Sequence, residues 1–173
     1  SRALDAARHN VDVWTREIEN GGLDAIVVTT SGCGTVIKDY GFLLRNDNAY
    51  AQKAARISAL ARDITELLDE LPLQDGVRTT GQVVAYHSAC SMQHGQQVRD
   101  QPKSLLRRMG FVVREVPEGH ICCGSAGTYN VLQPEIANRL RARKVTNIEK
   151  VKPQIIASGN LGCITQIGAG TRI

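Results

Sequence analysis

Aromatic residues are scarce in this chain: one Trp, four Tyr and two Phe make up 4% of 173 residues. That scarcity argues against a stacking platform for single-stranded nucleic acid, which needs several rings on one surface. Long apolar runs are missing too, and nothing approaches the ~18 consecutive apolar residues of a transmembrane helix. No signal-peptide pattern opens the chain; Ser1-Arg2-Ala3-Leu4-Asp5 is charged and amphipathic, and the absent initiator Met points to an excerpt of a longer protein or to processing. Neither sign of charge dominates, with 21 basic against 17 acidic residues and a net charge of +4. The basic cluster Arg139, Arg141, Arg143 and Lys144 reads as a solvated helix face, the alternative being a docking face for an acidic partner or an anionic membrane surface. No Ser-His-Asp set, paired-carboxylate pattern or H-E-x-x-H motif is present, and Gly124-Ser125-Ala126-Gly127 lacks the lysine of a phosphate-binding loop.

Cysteine, by contrast, is plentiful. Four of the five form the pattern C-x31-C-C-G-x38-C: Cys90, the vicinal pair Cys122 and Cys123 with Gly124, and Cys163. The fifth, Cys33, lies in Ser31-Gly32-Cys33-Gly34, a near copy of Leu161-Gly162-Cys163. Five cysteines without a secretory signal imply a reducing compartment, in which close thiols bind metal or do redox chemistry. At this length the chain is one domain, or one domain plus part of another, and it does not need disulfides to fold.

Periodicity places these cysteines. Leu4, Ala7, Val11, Trp14 and Ile18 mark one stripe of a helix, stopped by Gly21-Gly22, and Ala25–Val28 reads as a buried strand. A second helix is predicted from a cap at Asn46, Asp47 or Asn48 through Ile57, Leu60, Ile64, Leu67 and Leu71 to Pro72. Leu73 to Gln82, with Asp75-Gly76 and Gly81, reads as a surface linker. Beyond it, strands at 83–86, 111–116 and 155–157 alternate with helices opened by Pro102 and Pro134, the latter running through Ile136, Leu140, Val145 and Ile148. Alternation of this kind predicts an α/β fold, a three-layer-like parallel sheet flanked by helices, with the cysteine loops at the strand carboxyl ends where ligands bind. The order helix, stop, strand, Gly-Cys occurs at 4–33 and again at 136–163. The expected organisation is a repeat tail at 1–45, a connecting helix and linker at 46–82, and a second repeat at 83–173, which can pack as one α/β domain.

Thiolates select zinc, copper(I) or iron–sulfur clusters, and four of them satisfy a tetrahedral zinc or a [4Fe–4S] cluster. The long spacings and the vicinal pair favour the cluster over the paired C-x2-4-C hairpins of structural zinc. The flanking Gly95, Gly124, Gly127, Gly159 and Gly162 suit a backbone that approaches an inorganic core. His87 and His120, each close in sequence to a cysteine, are candidates to ligate metal or hydrogen-bond cluster sulfur. The simpler reading makes each a loop histidine facing solvent or capping backbone. His9 and His94 read as surface residues. A vicinal disulfide or redox dithiol at Cys122-Cys123 is the remaining alternative.

Cys90-x31-Cys122-Cys123-Gly124 with a Gly-Cys element about forty residues on resembles the cysteine-rich CCG domain family of heterodisulfide reductase subunits, lactate-utilisation proteins and glycolate oxidase iron–sulfur subunits. Val116 to Asn130, with Gln133-Pro134-Glu135, is most similar to the last of these, as is Ser31-Gly32-Cys33-Gly34 followed by Lys38-Asp39-Tyr40-Gly41. The resemblance covers nearly the whole chain as the carboxyl-terminal portion of a larger subunit, without the C-x2-C-x2-C motifs of its ferredoxin-like region. It implies that Cys90, Cys122, Cys123 and Cys163 ligate a [4Fe–4S] cluster, with zinc as the alternative, and that Cys33 is the last ligand of a preceding site. The family pattern ends in C-x2-C; here Asn160 stands three before Cys163 and Thr30 three before Cys33, so a four-iron cluster or zinc fits better than a five-cysteine noncubane cluster. The implied function is electron transfer within a membrane-associated glycolate oxidase. Flavin-containing subunits oxidise glycolate to glyoxylate, the acceptor is a quinone or another membrane acceptor, and the placement is cytoplasmic, peripheral at the inner membrane. Rival functions are a structural zinc or assembly module of such a complex, or a thiol–disulfide reductase.

Overall fold

The computed structural model describes residues 1–72 and 81–173; most of the predicted linker, including Asp75-Gly76, lies outside the described residues. Helix α1 (Arg2–Asn20) starts at a Ser1 cap that accepts from the Leu4 amide. Its stripe is buried at Ala7, Val11 and Ile18, and Trp14 packs 6.3 Å from the Tyr40 ring. Gly21 and Gly22 end it, and β1 (Ile26–Val28) leads into α2 (Ser31–Lys38) and a short α3 (Tyr40–Leu43).

The predicted long second helix is instead three elements, α4 (Ala51–Leu60), β2 (Ala61–Asp63) and α5 (Ile64–Glu70). Ala61–Asp63 leaves the helix to pair in parallel with β1, Ile26 opposite Ala61 and Val28 opposite Asp63. Asp63 then restarts a helix as a capping box: its carboxylate accepts from the Thr65 amide at 2.9 Å, and Glu66 accepts from the Asp63 amide at 2.8 Å.

The second part of the chain holds β3 (Val83–Tyr86), a π-helical turn (Ser91–Gln96), α6 (Gln101–Arg108), β4 (Val112–Glu115), α7 (Tyr129–Leu132), α8 (Pro134–Lys150), β5 (Ile155–Ala157) and α9 (Leu161–Gly168). The three strands form a parallel sheet in the order β4-β3-β5, with Tyr86 opposite both Glu115 and Ala157. The α/β class with parallel strands holds, and the strands divide between a two-stranded and a three-stranded sheet. Two hydrophobic cores accompany them. One gathers Val11, Ile26, Leu44, Ala54 and Ile57; the other gathers Ala85, Met92, Val145, Ile148 and Ile167 and includes Cys123 and Cys163. Two of the cysteines are thus packed as core residues, which limits how far their sulfurs can move.

The basic helix departs from its predicted faces. Ile136 is exposed, and the buried face of α8 is Ala137, Lys144, Val145, Asn147 and Ile148. Lys144, grouped by sequence with a solvated face, is 0% exposed.

α2 lies against the π-helical turn. Gln96 Nε2 donates to the Ser31 carbonyl at 2.9 Å, and the Thr35 hydroxyl donates to the Ser91 carbonyl at 3.0 Å. The approach is close because both sides carry glycine: a Cβ on Gly34 would meet Gln96 at 2.6 Å, and one on Gly95 would meet Thr35 at 2.8 Å.

Candidate metal centre

Cys90, Cys122 and Cys163 follow the carboxyl ends of β3, β4 and β5, and with Cys123 they line one open cavity of about 470 Å³. Cys90 stands immediately before the π-helical turn. Cys163 is the third residue of α9, whose cap is Asn160, so its sulfur lies at the positive end of a helix. The Cys122-Cys123 loop is bent by left-handed residues at Glu118, Gly124, Ala126 and Gly127.

The four thiols influence one another in series, Cys90 with Cys122, Cys122 with Cys123 and Cys123 with Cys163. Neighbouring sulfurs cannot all carry charge, so they share protons alternately. The Cys122 thiol, with burial, pushes Cys90 up; bonds to Cys122 and Cys163, with burial, push Cys123 up. Cys122 is drawn down by the thiols of Cys123 and Cys90, helped by the Gly124 amide at 3.3 Å from its Sγ. Cys163 is drawn down by Cys123, with the neighbouring His87 ring acting in the same direction. Thiolate is the form that binds metal.

Backbone and side chains around the sulfurs hold this geometry. The Ser125 amide donates to Cys123. Asn160 lines the cavity, yet its side chain is already committed. Its Oδ1 accepts from the Cys163 amide at 3.0 Å, and its Nδ2 donates to Ser31 Oγ at 2.9 Å. It therefore caps α9 at the position where the family pattern has cysteine. Ser31 Oγ also lies 2.7 Å from Ser91 Oγ, and Gly32 from α2 lines the cavity. Cys33 itself is exposed and does not line the cavity.

Glu118 fastens the cysteine loop to α8. Its carboxylate accepts from Arg143 and, at 2.7 Å, from Asn147 Nδ2, while its carbonyl accepts from Lys144 Nζ at 2.9 Å. Desolvation lowers the Lys144 pKa, and the thiols of Cys123, Cys90 and Cys122 oppose that fall. Arg143, then Asn147, hold the Glu118 carboxyl down to about 2. A carboxyl depressed in the folded state stabilises above its unfolded pKa of ~4.3 and loses that contribution as pH falls toward the folded value. Glu118→Gln should therefore flatten the acid limb of stability between about pH 4.3 and pH 2, read as urea midpoint against pH. An unchanged acid limb would show that the clamp contributes nothing.

His87 is 1% exposed, against the expectation of a solvent-facing loop residue, whereas His120 is exposed. One ring nitrogen of His87 and the sulfurs of Cys123 and Cys163 all lie within 4.8 Å of one another. Of the two readings that the sequence left for His87, a site residue or a solvent-facing loop residue, the burial favours the first; its place directly after the apolar strand Val83–Tyr86 was the available signal.

Residues 84–168 match the cysteine-rich domain family designated CCG. Over this segment the chain belongs to the CCG cysteine-rich family. Curated relatives align along most of the chain. It is 42% identical over 171 residues to the "Glycolate oxidase iron-sulfur subunit" of Escherichia coli K12, covering 99% of this chain and 42% of that protein. It is 28% identical over 151 residues to the "Probable glycolate oxidase iron-sulfur subunit" of Bacillus subtilis 168, covering 86% of this chain and 34% of that protein. With "Lactate utilization protein A" of Bacillus licheniformis it shares 31% identity over 156 residues, 88% of this chain and 66% of that protein. The chain thus spans less than half the length of the two glycolate oxidase relatives.

The donor set of this CCG segment fits an iron–sulfur group. It offers four soft thiols in one series, amides directed at two of the sulfurs, and a cavity far larger than the ~10–15 Å³ that a single water needs. Among the described residues no helix is long and apolar enough to cross a membrane.

Proposed function

We propose that the chain is part of the iron–sulfur subunit of a glycolate-oxidising complex, with Cys90, Cys122, Cys123 and Cys163 holding a [4Fe–4S] cluster. The observation that carries this reading is the four-thiol series on one cavity. The 42% identity to a glycolate oxidase iron–sulfur subunit supports the substrate. Such a cluster supplies one-electron transfer at a potential set by its ligands, its N–H bonds and its burial. The protein's own contributions are the Gly124 and Ser125 amides, the end of α9 and the buried Lys144 cation. No residue at the cavity is placed to do acid–base work on a hydroxy acid. Electrons arrive from flavin-containing partner subunits and leave toward a quinone or other membrane acceptor, at a cytoplasmic site peripheral to the inner membrane.

The test is iron and acid-labile sulfide in the full-length subunit after anaerobic purification, with EPR of the reduced form. Serine at Cys90, Cys122, Cys123 or Cys163 should each remove one cluster's worth of iron, and Cys33→Ser should leave this site loaded. Retention of full iron and sulfide by the Cys123→Ser variant would sink the assignment.

One observation favours a second reading. His87, Cys123 and Cys163 alone form a compact three-donor set suited to zinc. Stoichiometric zinc without a visible chromophore would make the domain a structural module.

A further inference from the structure

The His87 imidazole has no accounted role in a four-thiol site. It follows β3 directly, its amide donates to the Ala157 carbonyl at 2.8 Å, and that bond draws the residue into the sheet edge between β3 and β5. The side chain is 1% exposed, and neither Nδ1 nor Nε2 meets a hydrogen-bond partner among the described residues. A neutral imidazole carries one donor and one acceptor, and a buried ring with both unused needs an explanation. The acceptor nitrogen is also a metal ligand. One ring nitrogen lies within 4.8 Å of the sulfurs of both Cys123 and Cys163. Metal bonds of about 2.0–2.3 Å set tetrahedral donors roughly 3.5–3.8 Å apart, so small side-chain shifts bring this trio onto one metal.

Asn160, which also lines the cavity, is engaged through both ends of its amide, capping α9 and binding Ser31. His87 is the remaining buried soft-metal donor beside the thiols.

We propose that His87 is a direct nitrogen ligand of the metal group, beside the sulfurs of Cys123 and Cys163. The inference rests on the reading that these cysteines hold a metal group, and it holds for either iron or zinc. An imidazole in place of a thiolate removes negative charge from the metal, as in clusters where histidines replace cysteines and the potential rises.

The experiment uses the full-length subunit labelled with 15N-histidine. If the site holds iron, pulsed EPR of the reduced cluster should show a coupled 15N nucleus that vanishes in His87→Ala. If it holds zinc, X-ray absorption at the zinc edge should show one nitrogen in the shell, again lost in His87→Ala. Should His87→Ala fail to fold, His87→Cys is the second variant: it should keep the metal, lose the nitrogen signal and, with iron, lower the midpoint potential. A nitrogen-containing zinc shell overturns the cluster reading and upholds the histidine. An all-sulfur iron cluster overturns the histidine alone, and an all-sulfur zinc shell overturns both the histidine and the cluster reading. Protein carrying neither metal overturns both.

Discussion

Gly124→Ala should unfold the cysteine loop, at a cost of roughly 2–6 kcal/mol. Gly124 has a φ of +94°, where a side chain costs about 1–3 kcal/mol. A Cβ there would also meet the Ala137 carbonyl oxygen at 2.3 Å, a backbone atom in the first turn of α8. Overpacking against a fixed neighbour adds about 1–3 kcal/mol. The two terms compound because the loop cannot relax in either direction. The Gly124 amide is directed at Cys122 Sγ on one side, and Glu118 ties the loop to α8 on the other. Gly127→Ala supplies the control: its φ is +65°, but a Cβ there meets nothing within 4 Å, so only the conformational cost applies. Urea midpoints should fall much further for Gly124→Ala than for Gly127→Ala. Equal midpoints would show that the Ala137 contact yields freely.

Lys144→Met should separate the stability of the fold from the chemistry of the site. Removing a buried charge and filling its volume with an apolar side chain is often neutral or stabilising. Against this, the Glu118 carbonyl loses its donor, a penalty of about 1–3 kcal/mol. The metal-free protein should therefore change little, within about 2 kcal/mol. The loaded protein should change much more. Lys144 is 0% exposed, its hydrogen bond is to a neutral carbonyl, and the nearby charge that favours its cationic form comes first from the thiols and then from Glu118. Reduction adds negative charge to the cluster, so loss of this cation disfavours it. A tenfold shift in a one-electron equilibrium is about 59 mV, and a fall of at least that size is expected in a potentiometric EPR titration. Lys144→Arg keeps the charge and should fall less. A midpoint unmoved by Lys144→Met would mean that the cation is a packing element only.

Some of this was legible in the chain. The α1 stripe, the short apolar strands and the prolines opening α6 and α8 are local signals, and they set the α/β class. The strand-end rule brought all five cysteines toward one edge; Cys90, Cys122, Cys123 and Cys163 share the cavity there, and Cys33 does not line it. What escaped depends on partners distant in sequence. The apolar series Ile57, Leu60, Ile64 and Leu67 keeps helical period across a break made by pairing with Ile26–Val28. The Asp63-x-x-Glu66 capping box was the one local sign of that break. Lys144 shares the composition of its arginine neighbours, and only the fold of the Glu118 loop over α8 shows that it faces inward. His87 was ambiguous for the same reason, since a strand's burial is decided by what covers it.

The roof over the cysteine cavity has an architectural cost for modular exchange. Gly32 reaches the cavity from α2, in the α1–β1–α2 unit, and its neighbour Ser31 meets Ser91 and Asn160 from two further segments. A graft that transplanted residues 83–173 onto another scaffold would carry all four clustered cysteines and still leave that roof behind. The ligands are inherited in one piece of chain, and the enclosure is assembled from two.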